Sequence, residues 1–138
     1  MPKNALILGY LGLIPFIGLP LSTFLDVLPV GQSLLYFVQY SVIILSFFGG
    51  IHWWDAIQNN NNGAQLFVAM IPSLIGWFAL IFAQGAILLF VLSLSYIATL
   101  FYDKHTLQLE KQAIIKYTKM RMILTTVVVL SHTAYIFV

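Results

Sequence analysis

Long apolar stretches alternate with short polar connections along the whole chain. A helix needs about 20 mostly apolar residues to cross the roughly 30 Å of hydrocarbon in a bilayer, and five stretches come close to that length. We therefore predict five membrane-spanning helices, over residues 4–25, 34–57, 64–83, 85–102 and 119–138. The first stretch is too long for the core of a signal peptide and no small-residue cleavage site follows it, so we expect a permanent helix.

The connections between these stretches carry residues typical of turns. Residues 26–33 contain Pro29 and Gly31, residues 59–63 are a run of asparagines ending in glycine, and the third and fourth stretches meet at Gln84. Short connections keep consecutive helices side by side and antiparallel. We expect an all-α bundle of five helices that forms a single integral-membrane domain over residues 1–138.

The last connection, residues 103–118, is longer and more polar than the others. Its apolar positions form an imperfect stripe, and lysines lie between them. This pattern favours either a short helix lying in the membrane interface, with its lysines near anionic headgroups, or an ordinary polar connector. Both interpretations stay open at the level of sequence.

The basic side chains predict an orientation for this bundle. With five spans, the N-terminus and the connections at 59–63 and 103–118 lie on one side of the membrane. All six basic residues fall on that side: Lys3, Lys104, Lys111, Lys116, Lys119 and Arg121. Because lysine and arginine are concentrated in cytoplasmic loops, we expect the N-terminus in the cytoplasm or the mitochondrial matrix and the C-terminus outside.

The composition supports a membrane protein and excludes several functional classes. Of the 138 residues, 61% are hydrophobic and 7% are charged, whereas soluble domains average about 45–50% and about 25%. A chain this short cannot bury so much apolar surface in a core of its own, which excludes a soluble enzyme and a nucleic-acid partner. Cysteine is absent, and no hydrolase, zinc or phosphate-loop motif is present. We expect no enzyme activity, no catalytic residue, no metal and no cofactor.

A few ionisable side chains lie within the predicted spans, and most of them lie at the predicted cytoplasmic end. His52 and Asp55 flank Trp53 near the end of the second span, Asp103 follows the fourth span and Arg121 opens the fifth. Ionisable groups at membrane depth are costly and are candidates for a functional site. We predict a polar cluster of these five residues, with Asp103 and Arg121 as the natural charge pair. The cluster is either structural and interfacial, or it binds a ligand, a proton or a partner.

Small residues at helical spacing predict where the spans touch one another, because helices in lipid associate through small side chains and hydrogen bonds. The predicted packing residues are Ser46, Gly49 and Gly50 in the second span and Ser73 and Gly76 in the third. His132 in the fifth span is interpreted as a hydrogen-bonding packing residue.

Several motifs resemble a bacterial membrane family of unassigned function, which also includes mitochondrial transmembrane protein 69. Residues 41–53, SVIILSFFGGIHW, resemble the family signature. Further matches follow in the right order at residues 13–16, 71–74, 103 and 117–125. The resemblance implies a small multi-pass protein of the bacterial or mitochondrial inner membrane, with His52, Asp103 and Arg121 in the family pattern. It implies no established activity.

Three functions are compatible with these observations. The favoured one is a non-catalytic accessory subunit or assembly factor of a larger inner-membrane complex, respiratory in kind, with the lipid bilayer and a larger membrane protein or a second copy as partners. The 11 phenylalanines provide outer faces for such contacts. The second is a small transporter or channel whose polar cluster lines a cytoplasmic vestibule. The third is a quinone- or lipid-binding protein in which Trp53, Trp54 and Trp77 contact a ring and His52 forms a hydrogen bond.

Overall fold

The computed structural model describes residues 3–60, 63–109 and 111–137, and this described part of the chain contains helices and no strand. The helices are α1 (Lys3–Leu11), α2 (Ile14–Phe24), α3 (Val30–Gln58), α4 (Ala64–Val68), α5 (Ile71–Phe82), α6 (Gly85–Thr106) and α7 (Lys111–Ile136). Four stretches are long and apolar enough to cross a membrane: Lys3–Phe24, Val30–Gln58, Ala64–Phe82 and Gly85–Thr106. The prediction of an all-α membrane protein is confirmed.

The first and third of these stretches are each divided into two helices ahead of a proline. Pro15 is the second residue of α2, and Pro72 is the second residue of α5. Proline has no amide hydrogen, and its ring clashes with the carbonyl four residues earlier, so an upstream helix ends before it. At the first break the Tyr40 hydroxyl donates a hydrogen bond of 2.8 Å to the carbonyl oxygen of Gly12. This bond from α3 satisfies a backbone group that water cannot reach in lipid.

The last helix begins earlier than the sequence predicted. We expected a separate interfacial helix or connector over residues 103–118, but α6 continues to Thr106 and α7 runs without a break from Lys111. Residues 111–118 are therefore the first two turns of α7, and a separate interfacial helix is wrong. The helix is not among the four candidate spans, because its polar side chains lower its hydropathy.

Helix α3 lies at the centre of the bundle. It packs against α2, α4, α5 and α6, while α7 packs against α6, α2 and α1. The core is rich in aromatic rings: Phe16 contacts Phe37 and Tyr96 edge to face, with ring centroids 5.7 and 6.2 Å apart. Large apolar side chains also cover the outside, as lipid contact requires; Phe82, for example, is 77% exposed.

Two of the predicted packing glycines lie where helices approach most closely. A Cβ atom added at Gly49 would lie 2.5 Å from the carbonyl oxygen of Ala69, and one added at Gly76 would lie 2.7 Å from Cγ1 of Val42. Real Cβ atoms do not approach other atoms this closely, so larger side chains would push α3 away from α4 and α5.

The remaining packing residues lie differently from the expectation. Gly50 is exposed and an added Cβ would meet nothing within 4 Å, so its predicted packing role is wrong. Gly50 points away from the face on which Gly49 packs, because successive side chains along a helix are rotated by about 100°. Ser46 and Ser73 are half-buried, and the Ser46 hydroxyl bonds to the carbonyl of Val42 in its own helix at 2.9 Å.

Candidate functional site

The carboxylate of Asp103 lies at the centre of a buried polar cluster. Nε2 of His52 donates to its Oδ1 at 2.5 Å, and Nε of Arg121 donates to its Oδ2 at 2.7 Å. Asp103 and His52 are each 1% exposed, and Arg121 is 0% exposed. They come from α6, α3 and α7, so one carboxylate links three helices. The structure thus brings together the expected charge pair and adds His52 to it.

Gln65, from the start of α4, fixes the tautomer of His52. Its amide nitrogen donates to Oδ2 of Asp55 at 2.9 Å and lies 3.2 Å from Nδ1 of His52. The amide nitrogen carries two hydrogens, whereas an ionised carboxylate can only accept. One hydrogen therefore goes to Asp55 and the other to Nδ1, which must be unprotonated. This arrangement places the hydrogen of His52 on Nε2, where it meets Asp103.

Asp55 joins the cluster through Gln65 rather than by direct contact with His52. Its Oδ1 accepts from the side-chain amide of Asn59 at 3.2 Å, and its Oδ2 also accepts from the backbone amide of Gln108 at 3.4 Å. Asp55 is 7% exposed. Its carboxylate therefore connects the end of α3 to the beginning of α4 and to the connection after α6.

The Arg121 guanidinium is held on several sides. Nη1 donates to the Thr125 hydroxyl at 3.2 Å, and Cζ lies 3.6 Å from the centre of the Phe48 ring. A cation over an aromatic face is attracted by the electron-rich ring, most strongly where water is excluded. Nη2 of Arg121 is buried and has no hydrogen-bond partner in the described part of the chain. The Tyr117 hydroxyl, one helical turn away, is also buried and lies beside Asp103 and Arg121.

Trp53 does not belong to this cluster, although the sequence placed it there. Its side chain is 48% exposed, and Trp54 and Trp77 are each 57% exposed. Trp53 follows His52 by one residue, so it points to another face of α3. The three tryptophans lie on the outside of the bundle, and a quinone or lipid site that uses their rings stays a prediction.

The sequence analysis placed neither Gln65 nor Tyr117 in the cluster. A usable signal existed for each. Gln65 is a polar side chain in a predicted apolar span, and such side chains usually find partners. Tyr117 precedes Arg121 by four residues, which puts both on one helix face.

A cavity of about 210 Å³ lies beside the cluster, between α3, α5 and α6. His52 lines it, and the Tyr102 ring lies 4.7 Å from the His52 ring between centroids. Thr99 and Ser95 face the same space. Since both ring nitrogens of His52 are already bonded, the ring offers this cavity an apolar face.

His132 forms a separate buried contact. Its Nε2 lies 3.0 Å from the Ser41 hydroxyl and its Nδ1 lies 2.8 Å from the Ser93 hydroxyl. The Phe37 ring meets it edge to face at 5.3 Å between centroids. These bonds tie α7 to α3 and α6. Among the described residues no group of three or more histidine, aspartate or glutamate side chains is placed to hold a metal ion.

Comparison with known proteins assigns the family. A family model described as "Protein of unknown function (DUF3429)" matches residues 1–137. The chain belongs to this family. It is also similar to Transmembrane protein 69 of Xenopus tropicalis, with 36% identity over 88 residues. That alignment covers 61% of this chain and 35% of the frog protein, so the chain corresponds to about a third of its relative. The family resemblance expected from the motifs is confirmed. No solved structure matches the chain significantly.

Proposed function

We propose that this protein is a non-catalytic membrane protein with five spans that acts as an accessory subunit or assembly factor of a larger complex in the bacterial or mitochondrial inner membrane. The observation that carries the proposal is the internal pairing of the charged cluster. Asp103 and Arg121 are bonded to each other at 1% and 0% exposure, and His52 is bonded on both sides. Charged groups used in this way stabilise the contacts between helices, and within the described cluster they leave Asp103 and His52 without a free acid or base function.

The fifth span is supported by the length and packing of α7. Its 26 residues extend about 39 Å at 1.5 Å per residue, more than the roughly 30 Å of hydrocarbon. The helix packs along α6 and α2, both of which belong to candidate spans. Its one buried charge, Arg121, is neutralised by Asp103. The exposed Lys111, Lys116 and Lys119 all lie in its first half, as expected for the cytoplasmic end.

Transport through the polar cluster is the less favoured alternative. A pathway for ions or protons needs charged groups that face water or a passage. The charged cluster is instead closed by its own bonds, and the adjacent cavity of about 210 Å³ is below the range of about 300–1,000 Å³ typical of ligand pockets.

The span count can be tested by labelling, since the chain contains no cysteine. Single-cysteine variants Val27→Cys, Asn60→Cys, His105→Cys and Phe137→Cys place a thiol at exposed positions after α2, after α3, in the last turn of α6 and just after α7. We expect a membrane-impermeant maleimide to label Val27→Cys and Phe137→Cys on intact cells, and the other two only after permeabilisation. Labelling of Phe137→Cys on the same side as Asn60→Cys would exclude five spans.

The accessory role can be tested at the outer face of α5. Trp77, Phe78 and Phe82 form a run of exposed contacting rings, with centroids 5.1 and 6.1 Å apart, and aromatic side chains are enriched in protein interfaces. We expect a photo-crosslinking amino acid at Phe78 to yield one discrete protein adduct, and the protein to migrate with a larger complex in native gels. The same amino acid at Leu21, exposed on α2, is the matched control. Lipid adducts alone at Phe78, with migration as a monomer or homo-oligomer, would contradict the proposal.

A further inference from the structure

Helix α3 keeps one side exposed along most of its length, although it packs against α2, α4, α5 and α6 on its other sides. The residues of this side follow one another at alternating spacings of four and three, and all of them are exposed except the half-buried Ser46: Gln39, Ile43, Ser46, Gly50, Trp53 and Ile57. We call them the exposed face of α3. A repeat of 3.5 residues keeps one side of a helix turned toward a neighbouring helix. This face therefore has the geometry of a helix-packing surface, and no helix of the described chain covers it.

Gln39 is a polar side chain of this face that lies at membrane depth without a hydrogen bond. The middle residue of the 29 in α3 is Ile44, and Gln39 precedes it by about 8 Å at 1.5 Å per residue. The hydrocarbon extends about 15 Å to each side of the bilayer midplane, so in a helix centred there the Gln39 amide meets lipid and not water.

Neighbouring polar side chains on this side of α3 are satisfied. The Gln32 amide donates to the Tyr36 hydroxyl at 2.8 Å, and the Ser46 hydroxyl donates to the carbonyl of Val42 at 2.9 Å. Gln39 forms no such bond within the described part of the chain. A polar group left unbonded in hydrocarbon is costly, and glutamine side chains in membrane helices form hydrogen bonds across to other helices. The Gln39 amide therefore indicates a missing helix.

Gly50 gives the same face a point of close approach. It packs against no helix of its own chain, and an added Cβ would meet nothing within 4 Å. The large exposed side chains of Phe47 and Trp54 lie one turn before and one turn after it, so the glycine leaves a notch between them. Small residues four apart, here Ser46 and Gly50, let two helices in lipid come into close contact.

The chemistry of glutamine indicates which helix fits. A carboxamide carries both a donor and an acceptor, so two Gln39 amides that face one another can exchange two hydrogen bonds. Two copies inserted in the same direction place Gln39 at the same depth, and a two-fold axis along the membrane normal brings the same patch of both copies together. The exposed face carries no charge that would oppose this pairing. An acyl chain has neither donor nor acceptor and would leave the amide unbonded.

We propose that two copies of this protein form a parallel dimer through the exposed face of α3. Gln39 of each copy bonds to the partner's Gln39, and the two α3 helices pack closely at Gly50 and Ser46. The exposed rings of α5 belong to another helix and remain available to a different protein. The dimer is therefore independent of the accessory role, and each can hold without the other.

Disulfide cross-linking in native membranes tests the contact, since the chain contains no cysteine. Ile43→Cys places a thiol on the exposed face near the middle of α3. Leu94→Cys is the matched control, because Leu94 is exposed near the middle of α6. We expect copper phenanthroline to convert Ile43→Cys into a covalent dimer and to leave Leu94→Cys monomeric. Equal cross-linking of the two variants would indicate random collision and would overturn the proposal, as would the absence of a dimer in Ile43→Cys.

The strength of the dimer is measured with the full-length protein in liposomes, by energy transfer between labelled copies over a series of protein-to-lipid ratios. Gln39→Leu removes the amide and keeps the size of the side chain, whereas Gln39→Asn keeps the amide. Gly50→Leu fills the notch. Gly18→Leu is its matched control, because Gly18 is exposed on α2 and its added Cβ also meets nothing within 4 Å.

We expect Gln39→Leu to weaken the dimer about 3- to 30-fold, the range measured for hydrogen bonds between membrane helices. Gln39→Asn should dimerise more tightly than Gln39→Leu. Gly50→Leu should be monomeric at ratios where the parent protein is dimeric, and Gly18→Leu should match the parent.

Three results would overturn the proposal: a parent protein that is monomeric at every ratio, a Gln39→Leu variant that dimerises as tightly as the parent, or a folded Gly50→Leu variant that does so. Neither position contributes to the interior of the bundle, so we expect both variants to fold. A variant that unfolds is recognised by circular dichroism, and the other variant together with the cross-linking pair still decides the matter.

Discussion

Replacing Arg121 with methionine removes the positive charge from the centre of the bundle while keeping a long apolar side chain. Asp103 then keeps the hydrogen bond from His52. The change deletes the bond of 2.7 Å to Asp103, the bond to Thr125 and the contact of 3.6 Å with the Phe48 ring. The position is 0% exposed, so water cannot replace the lost partner of the carboxylate.

The magnitude follows from these contacts. A hydrogen bond to a charged group contributes about 1.5–3 kcal/mol, and a desolvated cation over a ring contributes about 2 kcal/mol. Removing one partner of a buried pair from soluble proteins costs about 3–5 kcal/mol. Helices that separate within a membrane find other polar partners, which lowers the measured values. We therefore expect Arg121→Met to lower the free energy of unfolding by about 3 kcal/mol.

The assay is unfolding by sodium dodecyl sulfate in mixed micelles, followed by near-ultraviolet circular dichroism. Lys119→Met is the matched control, because it removes an exposed cation from the same helix and should change stability by less than about 0.5 kcal/mol. In the double variant Asp103→Asn with Arg121→Met the unpaired charge is gone. The free energy of unfolding of the double variant should therefore fall by less than the sum of the decreases in the two single variants, by at least about 1 kcal/mol.

Two results would refute this account of the cluster. If Arg121→Met behaved like Lys119→Met, the buried ion pair would not hold the helices together. If the two single losses simply added in the double variant, Arg121 and Asp103 would not be energetically coupled, and the structural role on which the accessory function depends would lose its support.

Two further predictions concern α3. Gly49→Ala should lower the free energy of unfolding by about 1–3 kcal/mol through overpacking, since its Cβ would lie 2.5 Å from the Ala69 carbonyl oxygen. Gly50→Ala is the control, because its Cβ meets open space, and it should be neutral or stabilising by up to about 1 kcal/mol. Equal losses of stability in melting experiments would contradict the packing. In ¹⁵N nuclear magnetic resonance, His52 should have a protonated Nε2 and a bare Nδ1, because Gln65 donates to Nδ1; a ring protonated on both nitrogens would contradict the network.

The polar cluster shows how far the sequence could go. Its ionisable members were predicted because charged side chains in apolar spans are rare and need partners. Trp53 was predicted to belong to the cluster because it follows His52 in the sequence, but it is 48% exposed and lies outside the cluster. Gln65 was missed although its amide connects Asp55 to His52, since its partner lies 13 residues away in another helix.

The sequence by itself determined that this chain is a helical membrane protein and where most apolar stretches begin and end. The reason is that bilayer thickness sets the length of a span, and a sum over neighbouring residues is enough to measure it. Only the tertiary structure decided which side chains meet. Contacts such as that between Asp103 and Arg121 depend on the rotation and depth of each helix. The helix breaks at Pro15 and Pro72 and the earlier start of α7 change that rotation and depth, and so they decide which side chains lie inside the bundle.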